Sequence, residues 1–233
     1  MPRSQCCREF FPNVDMKAAR FYSQFGEDRK VHQRFFSNTY DGVFVEIGAF
    51  DGITGSNTLF FEEALDWTGV LIEPSPTQFE KLKYNRRRST VCVNAAICSE
   101  KRTVHWLDNP GLGVVSGIFE FMSPAFLETF HRNQATTVKT PIQCIGFDVL
   151  FANLALRHID LFSLDVEGAE LQALQTFPFD KISVSVWLVE ADNTNVTKNA
   201  QVRQLLRSKG FNLFGKIEIT EIFVSRNFIK RSQ

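Results

Sequence analysis

Residues 43–57 are Val-Phe-Val-Glu-Ile-Gly-Ala-Phe-Asp-Gly-Ile-Thr-Gly-Ser-Asn, the most informative stretch of this chain. The apolar run 43–47, with one polar interruption, predicts a buried strand, and a helix is expected over 57–65. Between them lie three glycines that allow a tight turn and a close approach of the backbone to a ligand: Gly48, Gly52 and Gly55. A strand, a glycine turn and a helix in this order are typical of the first unit of a helix-covered parallel sheet.

The same alternation continues along the chain. Further strands are expected at 70–72, 90–93, 159–164 and 184–189, with a closing pair at 211–214 and 217–224. A capping box at Ser75–Gln78, with Pro76 at the first helical position, marks the start of a helix. Other helices are expected from Gly26, over 147–156, over 169–175 and around 202–206. Right-handed crossovers then imply an α/β fold with a doubly wound, mostly parallel sheet.

Length and charge limit the function classes. A chain of 233 residues with 44% hydrophobic content can bury one core, so we expect a single domain over 1–233. Within it we expect an N-terminal arm or lid at 1–22, a catalytic core at 23–225 and a substrate-side insertion at 108–140, inside a stretch without clear periodicity.

The 26 basic and 26 acidic residues balance to zero net charge, which disfavours a broad nucleic-acid surface. We interpret the basic run 86–88 as the solvated end of a helix. No stretch approaches the roughly 20 apolar residues of a membrane span. The five cysteines stand at 6, 7, 92, 98 and 144 without a C-x-x-C pair, so free thiols and a cytoplasmic location are expected.

Ligands of doubly wound sheets bind at the carboxyl ends of the strands, so the residues that follow each strand are the candidate site residues. The dinucleotide motif G-x-G-x-x-G is absent after the first strand. Glu46 and Asp51 would repel a phosphate at this turn but suit a sulfonium or ammonium charge, which favours S-adenosylmethionine over a nicotinamide dinucleotide. Glu73 ends the second strand, where an acidic residue accepts hydrogen bonds from a ribose diol.

Two more polar clusters follow the fourth and fifth expected strands. Asp165 emerges directly from an apolar strand, which is unusual for a core position and makes it a functional candidate. Glu167 either contributes to the site or caps the following helix. Glu190 and Asn193 follow the next strand.

At these residues the sequence resembles the FkbM family of S-adenosylmethionine-dependent methyltransferases. The resemblance covers roughly 22–224, and Asp165-Val166-Glu167-Gly168-Ala169-Glu170-Leu171 is its most specific motif. The other motifs are Ser23-Gln24-Phe25-Gly26-Glu27-Asp28, Val45-Glu46-Ile47-Gly48-Ala49-Phe50-Asp51-Gly52, Ile72-Glu73-Pro74 and Asn94-Ala95-Ala96. Family members commonly have Asp where this chain has Glu46.

The resemblance implies a class I methyltransferase (Rossmann-like) fold, with seven strands and an antiparallel C-terminal pair, and O-methylation of a sugar or natural product. In this reading Glu46, Gly48 and Asp51 surround the methionine part of the cofactor. Glu73 holds the ribose, Ala95 and Ala96 border the adenine, and Gln24 closes over the cofactor. The expected cofactor-binding set is completed by Ala49, Gly52, Asn57, Pro74 and Asp165.

Methyl transfer to a hydroxyl needs a group that takes the proton. We expect Asp165 or Glu190 to act as this general base, with Glu167 shaping the site. The acceptor implied by the resemblance is a sugar or glycan, for example a deoxyhexose such as rhamnose or fucose. Phe126 and Phe130, in the stretch without clear periodicity, could form an apolar wall against it or belong to the core.

Three alternatives stay open at this point. Asp165, Glu190 and Asn193 could hold Mg²⁺, as in catechol-type O-methyltransferases acting on small molecules. The fold could instead serve as a non-catalytic cofactor-binding module. Methylation of a nucleic acid is disfavoured by the neutral charge and by the lack of an Asn-Pro-Pro-Tyr-like motif.

Overall fold

The computed structural model describes residues 19–109, 116–131, 139–152, 154, 156–166 and 168–228. The expected arm at 1–22 and the expected insertion at 108–140 therefore lie partly outside the described residues, and Glu167 lies outside them altogether.

The main sheet has seven strands in the order β10-β11-β9-β8-β1-β2-β3. Its strands are β1 (Val43–Ile47), β2 (Thr68–Ile72), β3 (Val91–Val93), β8 (His158–Leu164), β9 (Ser183–Glu190), β10 (Phe211–Ile217) and β11 (Thr220–Ser225). Strands β1, β2, β3, β8 and β9 pair in parallel, whereas β11 lies antiparallel between β10 and β9. The expected doubly wound sheet with an antiparallel C-terminal pair is confirmed.

Helices cover both faces of this sheet. The α-helices of the described residues are α1 (Glu27–Val31, continued by a π-helical turn at His32–Phe36), α2 (Leu59–Leu65), α3 (Pro76–Asn85), α4 (Pro124–Phe130), α5 (Phe147–Ala152), α6 (Glu170–Thr176) and α7 (Val196–Ser208). One apolar cluster joins the sheet to α5, α6 and α7, and a second joins it to α1, α2 and α3. The predicted cap is present, since the Ser75 hydroxyl accepts the Gln78 amide at 3.4 Å. The helix expected over 147–156 ends at Ala152.

A second sheet occupies the stretch that showed no clear periodicity. Its four strands run in the order β4-β7-β5-β6, with bounds β4 (Ala96–Ile97), β5 (Arg102–Leu107), β6 (Gly117–Ile118) and β7 (Lys139–Ile145). Two of these strands have only two residues each, which is too short for an alternating pattern to be recognised in the sequence.

Cys98 and Cys144 form a disulfide between β4 and β7, with their Cα atoms 5.7 Å apart. The expectation of free thiols is therefore wrong for this pair, while Cys92 is free and half-buried. No spacing motif could have paired two cysteines that are 46 residues apart. Cys6 and Cys7 lie outside the described residues.

The basic run after α3 also differs from expectation. Arg87 and Arg88 are exposed, but Arg86 is buried and forms ion pairs with Glu46 and Glu62. The expected solvated helix end is therefore wrong for this one residue. A guanidinium can be buried when two carboxylates and several hydrogen bonds replace its water. Among the described residues, no helix is both long and apolar enough to span a membrane.

Candidate active site

A cavity of about 710 Å³ lies at the carboxyl ends of β1, β2, β8 and β9. This is the edge at which a doubly wound sheet binds its ligands. Nine residues expected from the sequence line it: Gln24, Gly48, Glu73, Pro74, Ala95, Ala96, Asp165, Glu190 and Asn193. The structure thus brings seven of the twelve expected cofactor residues to one cavity together with Glu190.

Gly48 forms the floor of the cavity at the end of β1. Its φ of 81° lies in the left-handed region, and a Cβ there would stand 1.9 Å from the carbonyl oxygen of Asp165. The Gly48 amide donates to the carbonyl of Ile72 at 3.0 Å, and the Asp165 amide donates to that of Ile47 at 3.2 Å. The ends of three adjacent strands therefore meet at a point where only glycine fits.

Glu73 occupies the cavity side of β2 and is almost completely buried. Its two carboxyl oxygens accept the amides of Phe50 at 2.8 Å and Ser75 at 2.7 Å. Burial raises the pKa of Glu73 to about 8, against the opposing effect of these hydrogen bonds. The carboxyl group is therefore held rigidly. It can accept further hydrogen bonds from the hydroxyls of a bound ligand.

Asp165 and Glu190 face each other across the ends of β8 and β9. Their carboxyl groups share a hydrogen bond, and both residues line the cavity. Burial and the nearby charge of Glu170 raise the pKa of Asp165 above its ordinary value. The hydrogen bond to Glu190 acts in the opposite direction on this pKa, so the protonation of the two groups is linked.

The loop after β9 forms the next part of the rim. The Asp192 carboxyl accepts the hydroxyl of Thr194 at 2.8 Å, and the Asp192 carbonyl accepts the Asn199 side-chain amide at 2.5 Å. Asn193 lies between them and faces the cavity. The first turn of α7 therefore fixes this loop.

Gln24 reaches the cavity because the segment before α1 is tied to the sheet. The Asp28 carboxylate accepts the amide and the hydroxyl of Ser23, and Ser23 forms a bridge with Gly55. Glu27 accepts the Thr220 hydroxyl at 3.0 Å, which joins this segment to β11. The buried acidic residues of this motif thus position the exposed Gln24 above the ligand edge.

Other residues of the expected cofactor set shape the glycine turn and do not line the cavity. The buried Glu46 carboxylate accepts the hydroxyls of Ser56 at 2.9 Å and Thr58 at 2.5 Å and the amide of Asn57 at 2.7 Å. It also lies 3.6 Å from the guanidinium of Arg86, which balances its charge. Arg86 therefore balances the charge of Glu46 inside the protein, and the hydrogen bonds of the Glu46 carboxylate stabilise the turn.

Four more members of the expected cofactor set belong to the glycine turn or follow it directly. Asp51 accepts the amides of Ile53 and Thr54, and the Asn57 side chain donates to the Ser163 hydroxyl at 2.9 Å. The other two members are backbone positions of the turn, Ala49 and Gly52. These residues act on the cavity through the shape of its floor.

The same cavity has an apolar wall, which belongs largely to the second sheet and to α4. Phe126 and Phe130 of α4 line it, which makes them wall residues as well as core residues. Three further residues that line the cavity were not expected from the sequence: Trp106, Ser116 and Ile118. The alternation of exposed and buried positions in β5 was the one feature that could have pointed to Trp106.

The expected metal alternative finds no support. Asp165, Glu190 and Asn193 all border the cavity. Over the described part of the chain, however, no group of three or more His, Cys, Asp or Glu side chains could hold a metal ion.

A model of the methyltransferase FkbM domain matches residues 46–213. The chain belongs to the FkbM methyltransferase family. No curated protein matches the chain. Family membership supports the use of S-adenosylmethionine as methyl donor, and this FkbM chain has the fold and cavity expected of such an enzyme.

Solved structures with a similar fold include two methyltransferases and a fibrillarin complex. A precorrin-6y C5,15-methyltransferase from Geobacter metallireducens is 10% identical, covers 92% of this chain and 97% of its own, and has a TM-score of 0.44. The glycopeptide N-methyltransferase MtfA with sinefungin is 10% identical, with coverages of 89% and 88% and a TM-score of 0.40. A chain of a fibrillarin/Nop5p complex is 14% identical, covers 80% of this chain and 73% of its own, and has a TM-score of 0.42. Such low identities carry no acceptor over to this chain.

The residues present fit S-adenosylmethionine on structural grounds. Gly48 carries no side chain, so only backbone borders the cavity at the end of β1. Glu73 offers a buried carboxyl at the position of a ribose diol, beside the small side chains of Ala95 and Ala96. Four carboxyl groups and no Lys, Arg or His are found among the described residues that line the cavity, which suits a cationic cofactor better than an anionic one.

Proposed function

We propose that this FkbM family methyltransferase transfers a methyl group from S-adenosylmethionine to a hydroxyl of a sugar or glycan, for example a deoxyhexose such as rhamnose or fucose. The observation that carries the proposal is the hydrogen-bonded pair of Asp165 and Glu190, which lines one cavity together with aromatic side chains. A proton acceptor beside an apolar surface is what a sugar hydroxyl needs.

The donor is held by the sheet side of the cavity. Glu73 accepts the ribose hydroxyls, Gly48 allows close approach, and Gln24 covers the ligand from above. When bound, S-adenosylmethionine supplies an electrophilic methyl group on its sulfonium. Fixing the acceptor oxygen in line with that methyl contributes much of the rate, because the reaction then needs no further loss of orientational freedom.

The carboxyl pair takes the proton of the acceptor hydroxyl. Asp165 accepts this proton in its deprotonated form, while Glu190 is hydrogen-bonded to it. The raised pKa of Asp165 makes it a stronger base than an exposed carboxylate. Positioned general bases of this kind contribute roughly 10²- to 10⁴-fold to the rate.

The wall selects the acceptor. Trp106, Phe126 and Phe130 offer flat apolar faces on which the C–H face of a sugar ring can stack, and they exclude water from the methyl group. The carboxylates of the cavity repel phosphate and carboxylate groups. We therefore expect a neutral sugar, and we expect sugar phosphates, uronic acids and nucleic acids to be poor acceptors.

A methyl-transfer screen tests the proposal. Labelled S-adenosylmethionine is offered with neutral deoxyhexosides and glycans, with their phosphorylated or uronic counterparts, and with small phenols. We expect transfer to neutral sugars and a loss of about 10²- to 10⁴-fold in turnover for Asp165→Asn or Glu190→Gln at saturating cofactor. Asp148→Asn, on the exposed side of α5, is the matched control and should retain turnover.

Near wild-type turnover in both carboxyl variants would rule out the base. Transfer to phenols alone would replace the sugar by a small aromatic acceptor. Cofactor binding without transfer to any acceptor would indicate a non-catalytic module.

A further inference from the structure

A buried lysine lies behind the carboxyl pair. Lys198, in the first turn of α7, is only 6% exposed, and its ammonium donates to one carboxyl oxygen of Glu170. Burial opposes the charge, but the attraction of Glu170, followed by that of Glu190 and Asp192, raises the pKa of Lys198. The lysine is therefore charged where the site concentrates negative charge.

Glu170 uses its other oxygen to hold the turn that follows β8. This oxygen accepts the amide of Val166 at 3.2 Å and the amide of Gly168 at 3.1 Å. Val166 follows Asp165 directly, and Gly168 has a φ of 109°, so the backbone here is sharply bent. One carboxylate thus satisfies two amides that the strand has left without sheet partners.

The same helical turn also holds the other half of the site. Asn199, next to Lys198, donates to the carbonyl of Asp192 in the loop after β9. The first turn of α7 therefore contacts the loop after β9 directly and the turn after β8 through Glu170. A helix is rigid on this scale, so it fixes the spacing between the two loops.

We infer that Lys198 is a positioning residue: through its ion pair with Glu170 it holds the backbone at Val166 and Gly168, and thereby keeps the Asp165 carboxyl against Glu190. The inference rests on the proposed function, in which Asp165 belongs to the base. Four charged groups act on Asp165: Glu170 from α6, Glu190 from β9, Lys198 from α7 and Glu27 from α1. Of these four, Lys198 alone is positive.

Lys198→Met removes the charge and keeps most of the side-chain volume. We expect hydrogen exchange at the Val166 and Gly168 amides to accelerate about tenfold or more, because the carboxylate that accepts them is no longer anchored. Turnover should fall at least about tenfold, while the affinity for S-adenosylhomocysteine stays within about twofold, since Lys198 does not line the cavity. Lys198→Arg should restore both slow exchange and turnover.

Arg203→Met is the matched control. It removes a cation from the same helix, but one that pairs with Glu221 and is partly exposed. It should leave amide exchange and turnover unchanged. Unchanged exchange in Lys198→Met, or failure of arginine to restore it, overturns the inference.

A second variant covers the case in which Lys198→Met does not fold. The double variant Lys198→Met/Glu170→Gln leaves no buried charge unpaired and keeps a side-chain oxygen that can accept the Val166 and Gly168 amides. Fast exchange at both amides supports the inference, and slow exchange overturns it. Hydrogen exchange at these amides is measured without an acceptor substrate. If the wild-type protein methylates no acceptor, the proposed function is wrong, but the exchange rates still decide the role of Lys198.

Discussion

Replacing Gly48 by alanine tests whether the strand ends of the main sheet are locked as the structure indicates. The new Cβ would lie 1.9 Å from the carbonyl oxygen of Asp165, about 1.5 Å short of ordinary van der Waals contact. Neighbouring strands are roughly 4.8 Å apart, so relieving the overlap means opening β1 from β8 by about a third of their spacing. The Asp165 amide would then lose its 3.2 Å hydrogen bond to Ile47.

The expected cost has two parts. The left-handed φ of 81° costs an alanine about 1–2 kcal/mol. The overlap adds about 2–4 kcal/mol, from one lost hydrogen bond and from overpacking. Gly210→Ala separates the two parts, because Gly210 also has a positive φ, 91°, but open space around its Cβ position.

Urea unfolding followed by circular dichroism measures both variants. We expect Gly210→Ala to lose about 1–2 kcal/mol and Gly48→Ala to lose at least about 2 kcal/mol more. Calorimetric titration with S-adenosylhomocysteine should show a loss of affinity for Gly48→Ala alone, since its overlap displaces the cavity floor. Equal losses of stability in the two variants, with equal affinities, would refute this account of the strand ends.

Three further outcomes follow from the contacts described above. Burial raises the pKa of Glu73 to about 8 from an ordinary 4.5, so the folded state keeps a proton that the unfolded state loses, and stability falls as the pH rises between these values. Glu73→Gln should therefore be more stable than wild type in urea at pH 8 yet bind S-adenosylhomocysteine about tenfold or more weakly; equal stability at pH 8 contradicts the argument. Arg86→Met should cost about 3–5 kcal/mol because it leaves buried carboxylates without a cation. Arg87→Met, which breaks an exposed pair, should cost under about 1 kcal/mol, and similar losses in urea would count against the buried cluster. Trp106→Ala should raise the KM for the acceptor about tenfold without changing cofactor affinity; an unchanged KM would remove Trp106 from the acceptor wall.

The sequence was sufficient for the main sheet because its signals are local. Apolar runs, glycine turns and a capping box each act within a few residues, and the carboxyl-edge rule then brought Gly48, Glu73, Asp165 and Glu190 to one cavity. Side-chain partners could not be obtained in this way. The carboxylate of Glu46 faces inward because Arg86, 40 residues later, is buried beside it.

The second sheet shows the other limit of local reasoning. Its strands are short, and they are stabilised by pairing with residues far away in the chain, as in β5 with β7. The Cys98–Cys144 bond likewise joins segments that no sequence spacing relates. Structure that depends on contacts at long separation has no signature within a window of ten residues.

The division of the cavity between two sheets has a consequence for how such an enzyme can change. The main sheet supplies the floor and the carboxyl groups, whereas β5 and β6 of the second sheet supply Trp106 and Ile118. Substitutions in β5 and β6 can therefore remodel the recognition of a new acceptor while the donor chemistry stays intact. Grafting these two strands between family members offers a route to exchange acceptor preference without rebuilding the catalyst.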